Sequence, residues 1–180
     1  MNLYAERNEG QRTEFRQELE PLNPADLVYV DECGLDESIQ RNYARSAIGK
    51  KVQEDITGKK TERTSIIAGL NRDRVIAPWH FSGYCNTEVI LMWVKEVLIP
   101  SLREGMVVIW DNATFHKSPQ IKALIEGAKC KLIFLPPYSP DLNPIEHYWA
   151  KLKAIIRRVR EENMSIPDVL AKIFKTDHLF

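Results

Sequence analysis

Two short runs of apolar, β-branched and aromatic residues, Leu27-Val28-Tyr29-Val30 and Met106-Val107-Val108-Ile109-Trp110, are each followed at once by an aspartate, Asp31 and Asp111. Runs of this length without polar alternation suit strands buried on both faces, which occur in sheets covered by helices on either side. The ends of such strands are where α/β folds build their sites. A chain with two of them is constrained to an α/β class, with acids delivered to the sheet edge.

The remaining segments fill in a strand, helix, strand alternation that implies parallel pairing. Ser65–Leu70 and Val75–Ala77 read as a hairpin across Asn71-Arg72-Asp73. Residues 87–99 read as a buried helix with Val89, Met92, Trp93, Glu96 and Val97 at helical spacing, capped by Thr87 or Asn86 and stopped by Pro100. Pro119–Glu126 is a short helix, Lys131–Leu135 a buried strand, and Pro136, Pro137 and Pro140 mark a rigid loop. The clearest helix starts at Pro144 behind Asn143 as cap, with Ile145, Tyr148, Trp149, Leu152, Ile155, Ile156 and Val159 on one face. A last short helix runs from Ile166 or Pro167 to about Phe174. Residues 5–20 are a charged helix or linker ended by Pro21 and Pro24. The expected division is therefore 1–24, the tail of a region upstream, and 25–180, one catalytic domain.

At 180 residues the chain can hold a full core, and no stretch approaches the roughly 20 uninterrupted apolar residues of a membrane span. The N-terminus has no apolar core of the signal-peptide kind, so the expected location is the cytoplasm. Cys33, Cys85 and Cys130 are odd in number and far apart, against both a disulfide framework and a zinc site. Lys and Arg balance Asp and Glu at 25 each, but unevenly along the chain. Residues 1–37 hold ten acids against three bases, whereas 41–63 and 151–160 (Lys151, Lys153, Arg157, Arg158, Arg160) are basic. Those two stretches are either solvated faces or nucleic-acid contacts.

A third acid, Glu146, occupies the first turn of the helix from Pro144. Hard divalent cations such as Mg²⁺ take oxygen ligands, and two-metal phosphoryl transfer needs carboxylates on rigid elements; three acids on two strands and a helix meet that need. Each acid also has a plainer role. Asp31 and Asp111 could end their strands in Asx turns, and Glu146 stands where a capping box places its acid. Asp141 competes for the third position but sits in a turn sequence, and Glu32 should face the opposite side of its strand from Asp31.

The strings Val-Asp31-Glu-Cys-Gly, Trp-Asp111-Asn-Ala-Thr-Phe-His116 and Leu-Pro-Pro-Tyr-Ser-Pro-Asp-Leu-Asn-Pro-Ile-Glu146 resemble the three catalytic motifs of the mariner superfamily of DDE transposases, in its bacterial insertion-sequence branch. Thirty-four residues separate the second and third acids, as that branch's pattern expects. The resemblance implies a ribonuclease-H-like fold, a mixed central sheet flanked by helices, with Asp31, Asp111 and Glu146 as catalytic metal ligands. It implies two Mg²⁺ or Mn²⁺ ions, cleavage at transposon ends, and strand transfer into a TA target. The expected partner is double-stranded DNA, both transposon ends and target, with the protein acting as a homodimer on it. Asn112 and His116 match the second motif; they would orient Asp111 or touch DNA, or be a turn-former and a loop histidine. No helix-turn-helix precedes Asp31, which departs from the family. The alternatives are a ribonuclease-H-like nuclease without strand transfer and an inactive remnant.

Overall fold

The computed structural model describes residues 8–36, 39, 63–161 and 164–175. Its centre is a five-stranded sheet in the order β3-β2-β1-β4-β5, made of β1 (Leu27–Leu35), β2 (Thr64–Asn71), β3 (Arg74–Ser82), β4 (Val107–Trp110) and β5 (Lys131–Phe134). β1, β2 and β3 form an antiparallel meander, and β4 and β5 add in parallel to β1. Parallel neighbours need a crossover. α2 (Thr87–Trp93) lies on the way into β4, and α4 (Pro119–Gly127) links β4 to β5.

β1 does not stop at Val30. β2 pairs with it from Tyr29 opposite Leu70 to Leu35 opposite Thr64, while β4 leaves it at Tyr29 opposite Ile109. The strand therefore loses one neighbour and keeps the other. β3 also outruns the predicted 75–77 and carries Pro78, which an edge strand tolerates because one side of its backbone has no partner to serve. Ala77 takes the left-handed φ of 53°, and the register shifts between Ile67 and Gly69, so a bulge absorbs the kink there.

Side-chain alternation sorts the core onto two faces. Val28 and Val30 of β1 and Val108 and Trp110 of β4 pack against Ile90 and Trp93 of α2 and Ile121 and Ile125 of α4. On the other face, Cys33 and Leu35 with Ile66, Ala68 and Leu70 lie under α5 (Ile145–Val159) and α6 (Ile166–Lys175). Leu27, Val107 and Ile109 are covered by Phe15 of α1 (Glu9–Leu19). The charged N-terminal stretch thus forms a helix that packs on the sheet.

α2 is capped by Asn86, whose side chain accepts from Val89 N–H at 2.9 Å. Its buried residues are Ile90 and Trp93, followed by Val94 and Leu98, whereas Met92 and Glu96 face outward, one position off the expected stripe. The helix also passes Pro100: a π-helical turn at Val94–Leu98 leads into α3 (Ile99–Ser101). Pro100 has no N–H to offer the preceding turn, and the wider turn makes room for its ring. Cys33, Cys85 and Cys130 are all free thiols. Among the described residues no helix is long and apolar enough to cross a membrane. Of the basic stretch 41–63, only Arg63 lies among the described residues.

Candidate active site

Asp31 and Asp111 stand level on neighbouring strands. Tyr29 is opposite Ile109 in the parallel pair, so two residues further along each chain come the two acids, on the face that carries Leu27, Tyr29, Val107 and Ile109. Asp31 is still in the ladder, opposite Ala68, so the Asx-turn reading does not apply to it. Asp111 lies just past β4 and does make such a turn: its Oδ1 accepts from Ala113 N–H at 3.1 Å.

α5 crosses β1 on this same face. Trp149 pins it there, its indole Nε1 donating to Asp31 Oδ2 at 2.9 Å. Glu146, nearly one turn earlier, is exposed and close enough for its charge to act on Asp31. The capping box that would have explained Glu146 is not formed. α5 starts at Ile145 without any side-chain cap, and Asn143, expected as the cap, turns inward, its buried Oδ1 without a hydrogen-bond partner. The short 3₁₀ turn Pro140–Leu142 brings the chain in at an angle that buries Asn143. Asp141 is taken by another partner: Arg12 of α1 donates through Nη1 at 2.9 Å and Nη2 at 2.6 Å to its two oxygens.

His116 occupies the 3₁₀ turn Thr114–Lys117, wholly buried, with Nδ1 against Asp111 Oδ1 and Nε2 3.0 Å from Glu32 Oε1. It is thus in direct contact with Asp111 and bridges it to Glu32. Asn112 follows Asp111 in the same turn and is partly exposed. Two residues that sequence reasoning left out of the site touch it: Trp149, read as core, and Glu32, read as facing away. An indole N–H on an otherwise apolar helix face needs an acceptor, which was a usable signal for Trp149.

The two aspartates differ electrostatically. Burial, then the charges of Glu32 and Glu146, push the Asp31 carboxyl up to about 7, against the smaller opposing pull of the Glu32 and Trp149 N–H donors. For Asp111, partial burial also acts upward, but the His116 hydrogen bond and charge and the Ala113 N–H outweigh it and hold the group below its ordinary value. Burial would lower His116, yet bonds and charges from Asp111 and Glu32 carry it up to about 9, so it is a cation.

The site holds oxygen donors on rigid supports, the ligand chemistry that a hard divalent cation requires. Asp111 uses Oδ1 for both Ala113 and His116. Among the described residues, though, no three His, Cys, Asp or Glu groups are already drawn close enough to hold one.

The sequence pattern of the DDE superfamily endonucleases matches residues 26–165, which span β1 through α5 and all three acids. The chain belongs to this family. Relatives of this DDE protein include the uncharacterized protein y4pE/y4sA of Sinorhizobium fredii (strain NBRC 101917 / NGR234), 38% identical over 68 residues, which covers 37% of this chain and 47% of the relative. Another is the Tc3 transposase of Caenorhabditis elegans, 41% identical over 59 residues, 33% of this chain and 17% of the relative. The chain thus spans less than half the length of the curated relatives it matches. In three dimensions it is similar to the mariner Mos1 paired-end complex with Mg, with TM-score 0.75, 15% identity, and coverage of 99% of this chain and 58% of that one. The catalytic domain of Mos1 mariner transposase superposes with TM-score 0.62 at 12% identity, covering 97% of this chain and 82% of that one. The resemblance to the mariner superfamily and the ribonuclease-H-like mixed sheet read from the motifs are both borne out.

Proposed function

We propose that this chain is the catalytic domain of a DNA transposase that cuts transposon ends and joins them to target DNA, with Asp31, Asp111 and Glu146 as its catalytic metal ligands. The observation that carries the reading is the level placement of Asp31 and Asp111 at the ends of adjacent parallel strands, with α5 anchored on Asp31 and its first-turn Glu146 close enough to act on that carboxyl. Two Mg²⁺ or Mn²⁺ ions held there would activate an attacking water or 3′-hydroxyl and stabilise the leaving oxygen. The chain's own part is positional. Trp149 holds Asp31 and its helix together, His116 aims Asp111, and Glu146 is carried on the first turn of α5. The partners are double-stranded DNA, as transposon ends and target, and a second copy of the chain on that DNA; the Mos1 structures include a strand transfer complex and paired-end complexes. The chain would act on chromosomal DNA in the cytoplasm of a bacterium. Incubation with Mg²⁺, labelled end DNA and a TA-containing plasmid tests it: cleavage followed by joined product is expected, and cleavage without joining would leave the nuclease reading instead.

The pH dependence of metal binding follows from Asp31. Its pKa in the folded chain is raised from 3.8 to about 7, so its ionisation opposes folding, and the metal-free chain loses stability from this group as pH climbs from about 4 to 7. A bound cation reverses that penalty. Mg²⁺ is therefore expected to raise the melting temperature more at pH 8 than at pH 5, as read by thermal scans with and without the ion. An equal rise at both would remove Asp31 from the ligand set.

Binding to DNA by this chain is expected to be weak and indifferent to sequence, through basic residues such as Lys151, which is exposed on α5, and the stretch 41–63. Contacts to phosphates release counterions, so affinity should fall steeply between about 50 and 200 mM salt. Fluorescence anisotropy across that range checks it, and tight selective binding to one terminal sequence would contradict it.

A further inference from the structure

Glu32 lies on the face of β1 opposite Asp31, the face that carries the buried Val28 and Val30. Its side chain is only 15% exposed, and one oxygen, Oε1, takes two donors: His116 Nε2 at 3.0 Å and Trp110 Nε1 at 3.3 Å. The other nitrogen of the same imidazole meets Asp111 Oδ1. The ring is fully buried, stacked on Trp110 with centroids 4.5 Å apart and edge-on to Phe115 at 4.2 Å. Carboxylates only accept, so each ring nitrogen donates to one of them, and the ring cannot flip without breaking both bonds. This bridge exists because β4 leaves β1 after Ile109: past that point β1 has no parallel neighbour, and the turn Thr114–Lys117 sits close enough for His116 to reach both strands' acids.

We propose that Glu32 is a positioning residue for the reaction: it fixes the His116 ring, and His116 in turn fixes which oxygen of Asp111, Oδ2, is presented to a divalent cation. Outer partners of this kind orient metal-binding side chains, and their loss typically weakens metal affinity by about 10- to 100-fold. The inference rests on the reading of Asp111 as a metal ligand.

The test is Mn²⁺ affinity, measured on the purified chain by electron paramagnetic resonance of the free ion, with circular dichroism as the check on folding. Glu32→Ala is expected to weaken Mn²⁺ binding by about 10-fold or more, and Glu32→Gln, which keeps the size and an acceptor, to weaken it less. In a His116→Gln background, either Glu32 change should cost nothing further, since the path through the ring is already cut. Should Glu32→Ala fail to fold, Glu32→Gln and its combination with His116→Gln decide alone. Folded Glu32 variants that bind Mn²⁺ like the original chain would overturn the proposal, as would a Glu32 effect undiminished without His116. Asp111→Asn separates the two layers. If it binds Mn²⁺ normally, the ligand reading fails and takes this inference with it; if it binds weakly while the Glu32 variants bind normally, only this inference fails.

Discussion

Asp31→Asn, Asp111→Asn and Glu146→Gln are each expected to lower DNA cleavage by about three orders of magnitude or more, since a coordinating charge is worth several kcal/mol in the transition state and each 1.4 kcal/mol is a factor of ten. The folded chain should survive all three, but not identically. Asp31 is half-buried and its ionised form is disfavoured, so Asn, uncharged and of the same shape, should raise the metal-free melting temperature at pH 8 while still accepting from Trp149. Asp111 is favoured as an anion by His116, and its Asn variant should melt lower. Glu146 is exposed, and Gln there should leave the melt unchanged. Cleavage assays with Mg²⁺ alongside thermal scans check both halves. Near-normal cleavage by any one variant would remove that residue from the catalytic set.

The largest stability loss is expected from Arg12→Ala. The Arg12 side chain is 4% exposed, and its guanidinium makes a two-pronged bond to Asp141, whose side chain is 23% exposed. Removing one partner of a buried pair costs about 3–5 kcal/mol, and the partial exposure of Asp141 reduces this to about 2–3. For a chain of this size that is about 5–10 °C in melting temperature. Arg12→Lys keeps the charge but cannot make the fork, and should fall between the two. Cleavage should fall as well, because Asp141 lies in the loop that enters α5 and so helps set where Glu146 stands. An alanine variant that melts within a degree or two of the original would show that the pair holds nothing.

The sheet and the three acids were legible because they are written locally. An unbroken apolar run ending in an acid announces β4 and Asp111, and helical spacing announces α5. What could not be read is non-local. Asp31-Glu32-Cys33-Gly34 has the composition of a turn, and only pairing with β2 keeps it a strand. The bonds from Trp149 to Asp31, from His116 to Glu32 and from Arg12 to Asp141 join residues 118, 84 and 129 positions apart. No window of sequence contains both partners. Asn143 was misplaced for a related reason: its residue type favours capping, but the turn before it decides that its side chain points inward.

The anchoring of α5 on β1 by Trp149 also bears on when the protein can act during its own synthesis. Both aspartates are made by residue 111, yet the helix that brings Glu146 near Asp31 ends at Val159, and α6, ending at Lys175, packs beside it. A polypeptide emerging from the ribosome would have its sheet before its third acid, and the third acid before the helix that secures it. A chain that ended before α5 would lack Glu146 and also the two helices that cover Cys33, Leu35, Ile66, Ala68 and Leu70, leaving that face of the sheet open.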